Sequence, residues 1–437
     1  MTKSTLARPV YLVDGSRTPF IKAKGKPGPI SASDLAVATS KALLLKQDFD
    51  TELIDQVIFG CVMPSPDEVN IARIIALRLG LGEQIPAWTV QRNCASGMQA
   101  IDSAAHDIAC GRSEIVLAGG TEAMSRAPVL WSQLFVEWLS AWMSAKTMTR
   151  RARVLTTLRP YHLKPVIGLL KGLTDPIVGM SMGQTAENLS YHFGISREAM
   201  DAYAVQSHQR LAFAQDNHYL DEIEPLYVDK GKVIAMDDGL RRDSSVENLA
   251  KLRAVFDKHD GKVTAGNSAQ ISDGAAVVLL ASEKAVEKHN LPILAKIVDS
   301  QWAGLDPAEM GLGPIHAMTP IMKRHKLQTD AVDYWEINEA FSTQVLACQQ
   351  AWQENKYCRE HLHSRQAIGE IDMNHLNIDG GGVSMGHPVG ASGARIVLHL
   401  AKVLERNNAK RGMASLCIGG GQGGAILIER VQGGSNE

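Results

Sequence analysis

Asn93-Cys94-Ala95-Ser96-Gly97-Met98 opens a stretch that continues through Ile101, Ala105 and Ile108 at helical spacing and halts at Gly111. It then enters Ile115-Val116-Leu117-Ala118, which the glycines Gly119-Gly120 are expected to end. A second stretch follows the same plan. Gly390-Ala391-Ser392-Gly393 leads through Val397, Leu400 and Leu404 into Ala414-Ser415-Leu416-Cys417-Ile418, closed by Gly419-Gly420-Gly421. Each is a turn, a helix opened by small residues, and a buried strand closed by glycines. That is α/β design used twice in one chain. Small residues let each helix start pack closely and leave room at its N-terminus. There, free N–H groups and the helix dipole stabilise an anion.

The wider sequence sets the class. Its 437 residues suggest several domains or one large one. Hydrophobic residues are 45% and charged residues 21%, which excludes a disordered chain. Lys and Arg total 45 against 47 Asp and Glu, so no basic excess points to nucleic acid. The six cysteines, at 61, 94, 110, 348, 358 and 417, contain no Cys-x-x-Cys pair, and no metal site is expected. They are also too sparse for a disulfide scaffold. No apolar run reaches the ~18 residues of a membrane span. The N-terminal apolar run reads as a first strand rather than a signal peptide. These features predict a cytoplasmic chain with reduced thiols.

Four motifs carry chemistry. Cys94 sits at a helix start, where a thiol is expected to have a lowered pKa. Asn377-Ile378-Asp379-Gly380-Gly381-Gly382-Val383-Ser384-Met385-Gly386-His387-Pro388 is a tight loop entering the second helix and presenting one histidine, His387. Cys417 ends a strand beside the backbone N–H groups of Gly419-Gly420-Gly421. Glu336-Ile337-Asn338-Glu339-Ala340-Phe341 supplies Asn338, while Glu339 reads as an ordinary helix-start carboxylate outside the site.

Together, in this order, the motifs resemble the thiolase family. Weaker matches at Gly119–Ser125, Met182–Glu187 and Thr264–Ala276 extend the resemblance over nearly the whole chain. It implies a duplicated five-layer αβαβα fold with an inserted loop domain. The expected division is 1–127 with 270–293, a loop domain at 128–269, and 294–437. The implied activity is acetyl-CoA C-acyltransferase, a 3-ketoacyl-CoA thiolase of fatty-acid β-oxidation. Cys94 would be the nucleophile and carry the acyl group as a thioester. His387 would be the base and an oxyanion donor, Cys417 the acid/base, and Asn338 the holder of an oxyanion-hole water. The backbone N–H of Gly419 would complete a second oxyanion hole. CoA enters as co-substrate, and no resident cofactor is implied. A biosynthetic acetoacetyl-CoA thiolase is the alternative, since it shares these residues. A ketoacyl synthase-type enzyme would carry two histidines and no second cysteine, so Cys417 argues against it. A non-catalytic relative would not keep all four groups.

Two features depart from the family pattern. Ser181 stands where many thiolases have a histidine, which favours degradation over condensation, and Ala269 stands where a CoA-contacting serine is common. Residues 128–180 are longer than in short family members and unusual in composition. Trp131, Trp138 and Trp142 are three of the seven tryptophans, and no acid occurs between Trp138 and Thr174. Leu134, Trp138 and Trp142, with Phe135 and Leu139 in the neighbouring row, are expected to form one helical stripe, with Lys146, Arg150, Arg151, Arg153, Arg159, Lys164 and Lys171 around it. A helical lid, a membrane-surface or partner-docking element, and a contact for CoA phosphates all fit this composition. By resemblance, such an insertion belongs to β-subunits that pair with a hydratase/dehydrogenase α-subunit. A homodimer inside that hetero-oligomer is expected.

Overall fold

The computed structural model of the chain describes residues 5–228 and 231–431. The outer ends of the two expected halves, 1–4 and 432–437, lie outside the described residues. The main-path strands are β1 (Val10–Arg17), β2 (Gln56–Gly60), β3 (Ala87–Val90), β4 (Ile115–Ala123), β5 (Ser272–Ser282), β6 (Ala295–Gly304), β7 (Tyr334–Ile337), β8 (Arg411–Ile418) and β9 (Gln422–Glu429). Their order is β7-β8-β9-β6-β1-β5-β4-β2-β3. The halves meet where β1 and β6 pair antiparallel, from Val10↔Ile297 to Leu12↔Ala295. Outward from that junction, both sides repeat one plan. The half's first strand is followed by its antiparallel last strand, then by parallel strands. A single bridge, Trp335↔Leu376, takes the place that β3 holds in the first half.

Side-chain alternation builds the layers. In β4, Val116 and Ala118 face one cluster, while Ile115 and Leu117 face another. Both faces are covered, so Ile115–Ala118 is an unbroken apolar run rather than an alternating one. The central cluster joins the inner faces of both halves to helices Ser96–Ala109 and Val389–Arg406. Outside lie helices such as Ala32–Leu45 on one half and Gly313–His325 on the other. The result is the five-layer order helix, sheet, helix, sheet, helix, with the two halves linked edge to edge.

One expectation is corrected here. β4 does not end at Gly119-Gly120 but runs on to Ala123. β5 continues beside it, pairing Gly120 with Ala276 and Ala123 with Asp273. The glycines serve packing instead. A Cβ on Gly120 would strike the Gly390 carbonyl, and one on Gly97 would crowd the same oxygen. The two central helices therefore meet backbone to backbone at their N-termini.

Between β4 and β5 the chain leaves the core. It forms helices Gln133–Ser144 and Met148–Leu155, then Met182–His192 and Arg197–Asp216. Arg17, fully buried, donates to Glu222 and Asp237, and Asp237 also accepts the Phe20 N–H at 2.7 Å. Gln270 donates to the Gly239 carbonyl at 2.8 Å. These bonds fix the turn that carries Arg241 against the core. Among the described residues, no helix is long and apolar enough to cross a membrane.

Candidate active site

Cys94 follows Asn93, which adopts a left-handed backbone (φ 44) that asparagine tolerates better than most residues. The Asn93 amide donates to the Gly419 carbonyl at 2.8 Å, tying the Cys94 turn to the β8–β9 turn. Ser96 donates to the Asn93 carbonyl at 2.7 Å and accepts the Arg92 N–H at 2.8 Å. The expected lowering of the Cys94 pKa is not found. Burial pushes this thiol up, and the N–H groups of Gly419 and of Cys94 itself only oppose that rise. Desolvation of the anion outweighs the helix start.

His387 hangs from a turn that needs glycine. Gly386 has φ +109, and a Cβ there would strike Ser272. The His387 N–H donates to the Gln270 carbonyl at 3.0 Å. The imidazole Nδ1 lies 2.6 Å from Ser392 Oγ, whose own proton goes to the Pro388 carbonyl at 3.1 Å. With the Ser392 proton on that carbonyl and the Asn338 amide nitrogen facing Nε2, the ring proton is assigned to Nδ1 and Nε2 is the free base. Burial, with Arg395 nearby, lowers the His387 pKa to about 4. The ring is thus neutral near pH 7.

Asn338, at the end of β7, turns its amide nitrogen to His387 Nε2 at 3.4 Å. Its buried Oδ1 has no partner among the described residues, so one acceptor is left for a small polar guest. Cys417, 1% exposed in β8, is a protonated thiol, pushed well above the usual range by burial and then by Cys94. Gly420 and Gly421, with φ +91 and +74, turn the chain directly after Gly419.

Cys94, His387 and Cys417 line one cavity of about 700 Å³. Met124, Met182, Phe256, Met310 and Phe341 supply apolar walls, while Lys22 and Arg241 also reach its lining. Asn338 adjoins it through His387, and Gly419 through Cys94. Sequence reasoning missed Ser392, although a hydroxyl in the first helical turn after His387 was a readable signal. It also left Glu339 aside. That carboxylate is buried and accepts from Tyr203, Ser207, Asn377 and the Val383 N–H, pinning the glycine loop before His387. It is not a helix-start group, since the next helix begins at Ser342.

The sequence profile of the thiolase N-terminal domain matches residues 10–284, and that of the thiolase C-terminal domain matches 291–430. The chain belongs to the thiolase family. Human mitochondrial 3-ketoacyl-CoA thiolase is 38% identical over 429 residues, covering 97% of this chain and 99% of the relative. The crystal structure of that human enzyme in complex with CoA aligns with a TM-score of 0.84 at 36% identity, covering 99% of this thiolase and 100% of the other chain. The Bacillus anthracis acetyl-CoA acetyltransferase structure aligns equally well, with a TM-score of 0.84 at 34% identity over 98% and 100% of the two chains.

In this thiolase the insertion reaches the site. Leu170, Leu173 and Thr174 line the cavity. Val166–Ile167 pairs with Val129–Leu130 and returns the chain to that wall. The aromatic stripe differs from the expected one. Trp131, Phe135, Trp138 and Trp142 stack in a ladder, with successive ring centroids 4.6, 5.7 and 5.8 Å apart. Leu134 lies outside it and is exposed, as are Leu139 and Met143. No residue of Gln133–Ser144 is buried. Ser181, in the place of the frequent histidine, caps helix Met182–His192 with Gln184. Ser268, beside Ala269, donates to the Thr264 carbonyl at 2.7 Å.

Proposed function

We propose that this thiolase is an acetyl-CoA C-acyltransferase of fatty-acid β-oxidation. In this reading it cleaves 3-ketoacyl-CoA with CoA to acetyl-CoA and an acyl-CoA shortened by two carbons. The observation that carries the proposal is the convergence of two thiols and a neutral imidazole on one largely apolar cavity. The similarity to human 3-ketoacyl-CoA thiolase supports the substrate class.

Cys94 Sγ attacks the 3-keto carbon while its proton passes to His387 Nε2. The C2–C3 bond then breaks. Its electron pair becomes the enolate of acetyl-CoA, and the acyl group stays on Cys94 as a thioester. Cys417 gives its proton to C2, and acetyl-CoA leaves. Incoming CoA returns a proton to Cys417 and attacks the thioester. Cys94 departs as thiolate and recovers its proton from His387. The protonated His387, with a water on Asn338, serves the enolate oxygen. The N–H groups of Cys94 and Gly419 serve the tetrahedral oxyanions, where each such donor is worth about 2.7–4 kcal/mol.

Ser181 and the Leu170–Leu173 wall favour degradation over acetoacetyl-CoA synthesis. Cleavage of 3-ketoacyl-CoA substrates of increasing chain length tests this. Activity that persists or rises beyond the four-carbon substrate is expected, and activity confined to that substrate would move the assignment to acetoacetyl-CoA thiolase.

We also propose a cytoplasmic homodimer that pairs with a hydratase/dehydrogenase subunit, with the loop domain 128–269 covering the CoA side. The insertion fits an anionic membrane surface, because exposed Trp131, Leu134, Met143 and Met148 lie in a segment whose charges from Trp138 to Thr174 are all basic. Deleting 130–172 is expected to weaken cosedimentation with phosphatidylglycerol vesicles more than it lowers cleavage of the four-carbon substrate. Undiminished vesicle binding would refute this role.

A further inference from the structure

Glu122, in β4 two residues before Met124 of the cavity wall, is fully buried. Its Oε2 accepts the N–H groups of Val62 at 2.9 Å and Gly390 at 3.1 Å. Its Oε1 accepts the Met63 N–H at 3.0 Å and the Cys61 thiol at 3.7 Å. These are its partners among the described residues, and none is a cation. Four donors converge on two acceptor oxygens, an arrangement that glutamine cannot reproduce with one oxygen and an NH2 group. The carboxylate joins three segments: the end of β4, the loop after β2, and the first turn of helix Val389–Arg406. That turn follows directly on His387-Pro388. A helix N-terminus also favours a negative group.

We propose that Glu122 is a positioning residue that, through the Gly390 N–H, holds the His387 turn against Cys94 for proton transfer. This rests on the roles assigned to Cys94 and His387 above.

The same carboxylate acts on the site through its charge. Burial raises its pKa to about 7, so it ionises across the working range. Cys61 lies at its side, Glu68 acts beyond Cys61, and Cys94 feels it from the neighbouring helix start. Helix Val389–Arg406 offers it only the Gly390 N–H, with His387 just before. A negative Glu122 disfavours the Cys94 thiolate. A residue that merely filled space would have no such effect.

The test compares Glu122→Gln and Glu122→Asp in the full chain. Steady-state cleavage is measured alongside iodoacetamide alkylation of Cys94, followed on the Cys94 peptide by mass spectrometry. In Glu122→Gln, kcat is expected to fall roughly 10- to 100-fold with KM changed less than about threefold. The alkylation profile is expected to move to lower pH by up to about one unit. Glu122→Asp keeps the charge but retracts from Gly390, so kcat falls while the profile stays. Wild-type kcat in Glu122→Gln, or an unmoved alkylation profile, overturns the proposal. If either variant fails to fold, the wild-type profile decides. An added inflection near pH 7 supports the proposal, and a single thiol titration overturns it. Alkylation needs no substrate, so inactive wild-type protein would instead count against the thiolase reaction itself.

Discussion

Cys94→Ala is expected to lower 3-ketoacyl-CoA cleavage by roughly 10⁴- to 10⁶-fold, the scale seen when a covalent nucleophile is removed. No described neighbour replaces it. Cys417, the other thiol on the cavity, is buried and held further toward the protonated form. The fold should survive, because Cys94 is only partly buried and its turn is held by Asn93 and Ser96 instead. The pH behaviour of the wild-type thiol tests the same chemistry. Burial raises the Cys94 pKa, and burial keeps His387 neutral down to about pH 4. Thiolate therefore increases as pH rises through neutrality and beyond. Alkylation of Cys94 should rise through neutrality and beyond, with the Glu122 inflection near pH 7 superimposed, rather than level off in acid. A plateau from about pH 5 upward would mean a resting thiolate–imidazolium pair, as in thiol proteases, and would contradict the neutral site. Activity of Cys94→Ala within tenfold of wild type would remove the nucleophile assignment.

Cys417→Ala should cost about 10²- to 10⁴-fold in cleavage, the usual worth of a positioned acid. The physical reason is the height of its pKa. Desolvation holds Cys417 protonated, and Cys94 adds to that hold, so this sulfur keeps its proton until a carbanion forms beside it. The substitution leaves Cys94, His387 and the Gly419 N–H in place. Alkylation of Cys94 should stay within about twofold of wild type, since only the acid has been removed. This split between lost cleavage and retained Cys94 reactivity marks a residue acting after the first attack. Equal losses in both assays would mean that Cys417 supports the structure of the Cys94 turn, and unchanged cleavage would give the acid role to another group.

Much of this was legible in the sequence because the signals were local. The two turn–helix–strand stretches, built from small residues and apolar spacing, fixed the duplicated α/β plan. Four motifs led to Cys94, Asn338, His387 and Cys417, and three of these line one cavity. Long-range effects were not legible. The helix-start argument for Cys94 omitted the desolvation that reverses it. The glycines at 119 and 120 looked like a strand end, because the close approach of Gly390 comes from the other half of the chain. Glu339 read as an ordinary helix-start carboxylate because its donors come from Tyr203, Ser207, Asn377 and Val383, all distant in sequence. The aromatic ladder of the insertion includes Trp131, which precedes its helix and so fell outside a purely periodic stripe.

The most direct test is the intact mass of the protein after mixing with 3-ketohexadecanoyl-CoA and no free CoA. The account predicts release of acetyl-CoA and a fourteen-carbon acyl adduct that maps to Cys94, is absent from Cys94→Ala, and is discharged by added CoA. Acetyl-CoA release with no adduct, or an adduct on another residue, would contradict it.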